Sequence, residues 1–243
     1  MRIPLALLAL FALGSFAPPE LFGGPVQPLA SALRWDAVPL DAERPERRRL
    51  GALTYLGSWS IRSDDPRFGG ISAMHVADGE LIALSDAGWL IRFGLRPGHG
   101  TASIRPLPAG PGNGLSKKDR DAESLVVADG SAWIGFEDSN QIWRYDLASW
   151  RATASATPPA MRRWSANSGA EAMLRLPDGR FLVFSEGRGF RAGATELLLF
   201  AGDPAVQGTR AARLGYRPPR GYRITDAARL PDGRLLFLNR RFR

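Results

Sequence analysis

The chain has 243 residues, enough for one substantial core or one propeller of few blades, and it contains no cysteine and only two histidines, His75 and His99. Disulfides and thiolate metal sites are therefore excluded, and a zinc or histidine-based catalytic centre lacks ligands. The net charge of +8 comes almost wholly from arginine, with Lys117 and Lys118 the only lysines; the arginines are scattered rather than striped, which speaks against nucleic-acid binding.

Met1 and Arg2 followed by the apolar run Ile3 to Phe16 have the layout of a signal peptide over residues 1–17, with cleavage expected after Ala17. The run is short for a membrane span, so the mature chain is expected to carry none and to be periplasmic or secreted. Retention as an N-terminal membrane anchor is the alternative. Residues 18–49 are rich in Pro, Ala and Arg and read as a linker or first loop. Leu53 to Ile61 alternates as a strand and is a candidate to complete a blade built otherwise from the C-terminus.

Residues 50–243 then repeat one pattern four times: apolar strand, Asp-Gly turn, apolar strand, polar or charged end. The turns are Asp78-Gly79, Asp129-Gly130, Asp178-Gly179 and Asp232-Gly233, spaced roughly every 50 residues, a period typical of propellers and solenoids. Asp-Gly between two β-rich runs is a strong hairpin signal, because both residues tolerate positive φ. The third and fourth strands follow as Trp89–Phe93 and Ala102–Pro106 in the first copy, and as Gln141–Tyr145 and Arg151–Ala156 in the second. The third copy carries a Gly-rich insertion, Gly187–Ala194, before Glu196–Phe200, and the fourth stops after two strands. The fold class is all-β, a propeller of four-stranded antiparallel blades with about three and a half repeats plus an N-terminal strand.

In an antiparallel hairpin the residue opening the first strand and the residue closing the second lie at one end of the sheet. Glu123 and Glu137 are therefore expected at one rim, and so are Glu171 and Glu186. The first copy has Asp86 opposite Ser72, and the fourth has Asp226 opposite Arg240. If the first strand of each blade is innermost, these acids converge on one mouth of the central channel. Clustered carboxylates without Cys or His suit a hard cation such as Ca²⁺, which relieves their mutual repulsion. The competing reading has the same acids bonding backbone N–H groups or arginines of the next blade, as Arg240 could bond Asp226. The Asp-Gly aspartates are turn formers.

Several linked stretches resemble the esterase-like/phytase-like β-propeller family of exported bacterial proteins. They are Gly69–Ala73, Leu84–Gly88, Arg120–Ser124, Phe136–Tyr145, Asn167–Glu171, Phe184–Glu186, Ile224–Asp226 and Leu230–Arg234, in that order from Gly69 to the C-terminus. Relatives are typically longer, so the resemblance implies a C-terminally shortened propeller. It also implies hydrolysis of a small anionic phosphate or carboxylate ester. On this reading Asp86, Glu123, Glu137, Glu171, Glu186 and Asp226 hold Ca²⁺, which activates water and polarises the ester. Glu123, Glu171 and Arg120 are the catalytic candidates, and Arg144, Arg188 and Asn167 are the substrate-binding ones. A non-catalytic ligand- or protein-binding propeller, or an inactive truncated remnant, are the alternatives. No Gly-x-Ser-x-Gly elbow supports a serine hydrolase.

Overall fold

The computed structural model describes residues 29–114 and 116–241. The expected leader, residues 1–17, lies outside them. Strands β1 (Leu29–Ala37), β2 (Arg49–Leu50), β3 (Leu53–Thr54) and β4 (Trp59–Arg62) precede the repeats. The first blade is β5 (Ile71–Ala77), β6 (Glu80–Ser85), β7 (Trp89–Gly94) and β8 (His99–Pro106). The second is β9 (Ala122–Ala128), β10 (Ser131–Phe136), β11 (Gln141–Asp146) and β12 (Ala152–Ala156). The third is β13 (Ala170–Arg175), β14 (Phe181–Phe190), β15 (Ala194–Phe200) and β16 (Ala211–Tyr216), and the fourth is the hairpin β17 (Arg223–Arg229) and β18 (Leu235–Arg240). Pairing is antiparallel throughout, and β5, β9, β13 and β17 lie against one another as the inner strands of successive blades. The propeller arrangement is thus as the repeats require.

Two of the Asp-Gly turns close their hairpins for the expected reason: Asp78 and Asp129 adopt φ of 52° and 48°, and the glycines after them are also positive. At Asp178-Gly179 and Asp232-Gly233 only the glycine has positive φ, and the aspartate carboxylate instead accepts from the backbone N–H of the arginine two residues on. The core lies between blades. Ile82, Leu84 and Leu90 of the first pack on Ala132, Ile134 and Phe136 of the second. Val126 and Trp133 of the second meet Met173, Phe181 and Val183 of the third. Fully burying a side chain such as Phe136 contributes about 2–3 kcal/mol. The blades approach closely enough that Gly135 has no room for a Cβ, which would stand 2.6 Å from Ala170 Cβ. Beside it the Ser124 hydroxyl donates to the Ala170 carbonyl at 2.7 Å, and Ser72 donates likewise to Ala122 in the preceding junction.

Two expectations are corrected at the N-terminus. Residues 29–37, read as part of a linker, form β1, which pairs with β8 along the outer edge of the first blade. Ser31 and Leu33 are buried there while Ala32 and Arg34 are not, and Trp35 packs on the same side, so alternate residues seat this outer strand. Leu53–Ile61, read as one strand for the C-terminal blade, is not a single strand: Leu53–Thr54 pairs with β2, and Trp59–Arg62 pairs with β1, giving the first blade a six-stranded sheet. Trp35 and Ile61 pack there on the Phe93 side of the sheet. The Gly-rich insertion of the third copy is mostly strand: it extends β14 to Phe190 before a short 3-10 turn at Arg191–Gly193.

Candidate functional site

The four inner strands share an irregularity that the sequence does not display. In each, one residue is left out of the pairing with its hairpin partner. Ala122 pairs with Phe136 and Ser124 with Gly135, which leaves Glu123 on a bulge. Glu171 bulges between Ala170 and Ala172, Ser72 between Ile71 and Ala73, and Thr225 between Ile224 and Asp226. A bulge turns its extra residue out of the in-out alternation of the strand, a device common beside functional sites. Here it takes Glu123 and Glu171 out of the regular alternation of their strands.

Three of the acids near these strand ends come together. Carboxylate oxygens of Asp121, Glu123 and Glu137 lie within 4.8 Å of one another, all three residues half-buried. Glu137 is held there by its backbone N–H, which donates to the Asp121 carbonyl at 2.9 Å, and by Gly169, whose Cβ would stand 2.6 Å from the Glu137 backbone. Glu171 and Glu186, each 8% exposed, continue the set into the third blade. Burial, first of all, pushes Glu123 up to about 8, with Glu171, Asp121 and Glu137 adding to it. Glu171 rises to about 8 and Glu137 to about 7 for the same leading reason, with neighbouring carboxylates reinforcing it. Asp121 is raised by burial too, partly offset by Lys117.

Positive groups stand at the edges of this set. Lys117 Nζ lies 3.0 Å from Asp86 Oδ2, and Arg223 Nη1 lies 2.8 Å from Glu186 Oε2. The other Glu186 oxygen, Oε1, is buried without a hydrogen-bond partner among the described residues. On the third blade a cavity of about 260 Å³ is lined by Arg163, Trp164, Ser185, Gly187 and Phe190 and by the carboxylate-bearing Glu196.

Other expected site residues stand elsewhere. Asp226 is one position past the bulge, pairs with Leu238 and is exposed, so Thr225 occupies the place of Glu123 and Glu171. The one-residue slip carries Asp226 to the opposite face, where its carboxylate accepts from the Ala227 N–H at 2.7 Å. Arg144 sits on the third strand of its blade and pairs with Asp203 at 2.6 Å rather than with the acidic set; Asp203 also takes the Trp133 Nε1–H at 2.8 Å. Together they bolt the second blade to the third. Arg120 donates to the Leu107 carbonyl at 2.8 Å and to the Gly114 carbonyl at 3.4 Å, so its guanidinium braces the 107–114 connection. Asn167 lies in an exposed turn closed by the Ser168 N–H to Ser165 carbonyl bond. The Arg188 side chain lies outside the described residues. Two residues that the repeat pattern did not single out stand with the acidic set, Asp121 and Lys117. The Asp-Ala-Glu spacing of Asp121 and Glu123, and the rarity of lysine in this chain, were the available signals.

None of the curated proteins matches the chain. Among solved structures it resembles the computationally designed Ika4 protein at 10% identity and a TM-score of 0.39, covering 70% of this chain and 91% of that one. Kluyveromyces lactis Hsv2 is 10% identical at a TM-score of 0.41, over 69% of this chain and 52% of its own. The WD40 β-propeller domain of Doa1 is 12% identical at 0.41, over 67% and 44%. The chain thus spans about half the length of these last two. The model of the phytase-like family, described as having the esterase-like activity of phytase, matches residues 66–243, and the chain belongs to that family.

Proposed function

We propose that the protein is an exported, metal-dependent hydrolase of phosphate or carboxylate esters that works at the channel mouth. The observation that carries this reading is the meeting of Asp121, Glu123 and Glu137 oxygens within 4.8 Å on bulged and strand-end positions. The residues suit a hard cation: the donors are all carboxylates, they are raised by burial, and Glu186 keeps one buried oxygen unpartnered. Asp121, Glu123 and Glu137 would hold such an ion, with Glu171 and Glu186 behind them. Bound there, Ca²⁺ would supply Lewis-acid activation of the ester and of the attacking water.

The chain's own residues do the rest. Glu171, whose carboxyl burial raises to about 8 before any cation binds, is the residue placed to take and return a proton beside the triad. Arg163 meets an anionic substituent of the substrate at the entrance to the neighbouring cavity, while Trp164 and Phe190 form its apolar walls. The export that residues 1–17 suggest places this reaction in the periplasm or medium; among the described residues no helix is long and apolar enough to cross a membrane.

Hydrolysis of aryl phosphate and carboxylate esters should disappear with EDTA and return with Ca²⁺, and calorimetry should register Ca²⁺ binding. Failure to bind any divalent cation would end the metal reading. The lysine at the edge provides a finer check. Lys117 is a cation already seated beside Asp86, and a unit charge at that range is worth about 1–4 kcal/mol. Lys117→Met should therefore tighten Ca²⁺ binding about tenfold, and Lys117→Arg should leave it near the wild-type value.

A further inference from the structure

The side of the first blade that faces the second changes character along its strands. Ile82, Leu84 and Leu90 make it apolar where they pack on the second blade. The same alternation then sets Arg92 opposite both Ile82 and Ser103, and Arg105 opposite Leu90. Arg92 and Arg105 are therefore diagonal neighbours across β7 and β8, about 7–8 Å apart. The carboxylate that answers them is bound to one only: Glu80 accepts from Arg92 Nη2 at 2.6 Å. Arg92 Nε is buried without an acceptor, and the half-buried Arg105 guanidinium has neither ion pair nor hydrogen bond among the described residues. Burial first, and then Arg92, works against the charge on Arg105. Beside this pair a cavity of about 370 Å³ is lined by Arg92, by the hydroxyl-bearing Thr101 and Ser103, and by Ala30 and Glu80.

We infer that this cavity binds a tetrahedral oxyanion of the phosphate or sulfate kind, held between Arg92 and Arg105 with Thr101 and Ser103 as neutral donors. The donor set fits that chemistry. A guanidinium offers its N–H groups as a fork to two oxygens of one anion, and a hydroxyl can turn its O–H to a third. The anion supplies the acceptor that Arg92 Nε lacks and the counter-charge that Arg105 lacks. A neutral ligand would leave both deficits standing, and a cation would meet two guanidiniums and one carboxylate already engaged. Glu80 shares the cavity and repels an anion, so it lowers the affinity while holding Arg92 in place. The site shares no residue with the carboxylate triad and does not depend on the hydrolysis proposed there. The oxyanion is either free in solution or carried on a lipid headgroup, and the two sources are separable by experiment.

Calorimetry on the full chain in EDTA should register one inorganic phosphate, or one sulfate, bound per chain. Arg105→Met should weaken that binding about ten- to a hundredfold, the loss of one charge-assisted contact, and Arg92→Met should do the same. Glu80→Gln should tighten it about tenfold by removing the opposing charge. Arg105→Met should melt as the wild type does without phosphate, because its guanidinium has no partner to lose. Glu123→Gln should bind phosphate like the wild type, so failure here and failure of Ca²⁺ binding at the triad are read separately. Sedimentation with vesicles of phosphatidylglycerol or of phosphatidylcholine identifies the source. Binding selective for phosphatidylglycerol and lost in Arg105→Met places the oxyanion on a headgroup, whereas phosphate binding without it makes the ligand a free anion. The inference is overturned if neither phosphate, sulfate nor the anionic vesicles bind, or if binding survives in both Arg105→Met and Arg92→Met.

Discussion

Glu123→Gln should abolish the rise in melting temperature that Ca²⁺ gives the wild-type protein. A ligand at a hundred times its dissociation constant adds about 2.7 kcal/mol, or about 5–10 °C for a chain of this size. Glu123 stands between Asp121 and Glu137 in the only carboxylate triad of this kind among the described residues. Replacing it with a neutral amide removes both a donor oxygen and a charge, so affinity should fall at least about 100-fold and ester hydrolysis with it. Glu137→Gln should behave alike. Asp226→Asn, by contrast, should leave the Ca²⁺ shift unchanged, because that carboxylate is on the far side of the bulge. A Glu123→Gln protein that keeps both the shift and the activity would overturn the proposal.

Without divalent cations, the folded protein should lose stability as the pH rises from about 5 to 9. In the unfolded chain Glu123, Glu137 and Glu171 titrate near 4.5, whereas folded they titrate at about 8, 7 and 8. Between those values the folded state binds more protons than the unfolded one. Its stabilisation is therefore complete below the unfolded pKa and is lost as the pH climbs through 7–8. Moving one carboxyl from 4.5 to about 8 corresponds to about 5 kcal/mol. The three groups interact, so their effects do not add, and a fall of about 10 °C across the window is the expected scale. Ca²⁺ should flatten the curve by replacing protons as the counter-charge, and Glu171→Gln should flatten it in EDTA. Melting temperatures followed in EDTA and in Ca²⁺ from pH 5 to 9 test this directly. A flat EDTA profile would mean that the acids are compensated within the protein.

Sequence alone determined the hairpins, their order and the propeller class. Asp-Gly turns and five-residue apolar runs are local signals, and their period near 50 residues has few architectural solutions. The acids near strand ends were legible for the same reason, since antiparallel pairing puts both ends of a hairpin together. What only the tertiary structure decided was register and neighbourhood. A bulge adds one residue without leaving any mark in composition, so Thr225 rather than Asp226 holds the fourth inner position. Whether an arginine faces the mouth depends on contacts made across blades, and these commit Arg144 to Asp203 and Arg120 to loop carbonyls. The outer placement of residues 29–37 and 59–62 is likewise a choice between edges far apart in sequence, which no local periodicity encodes.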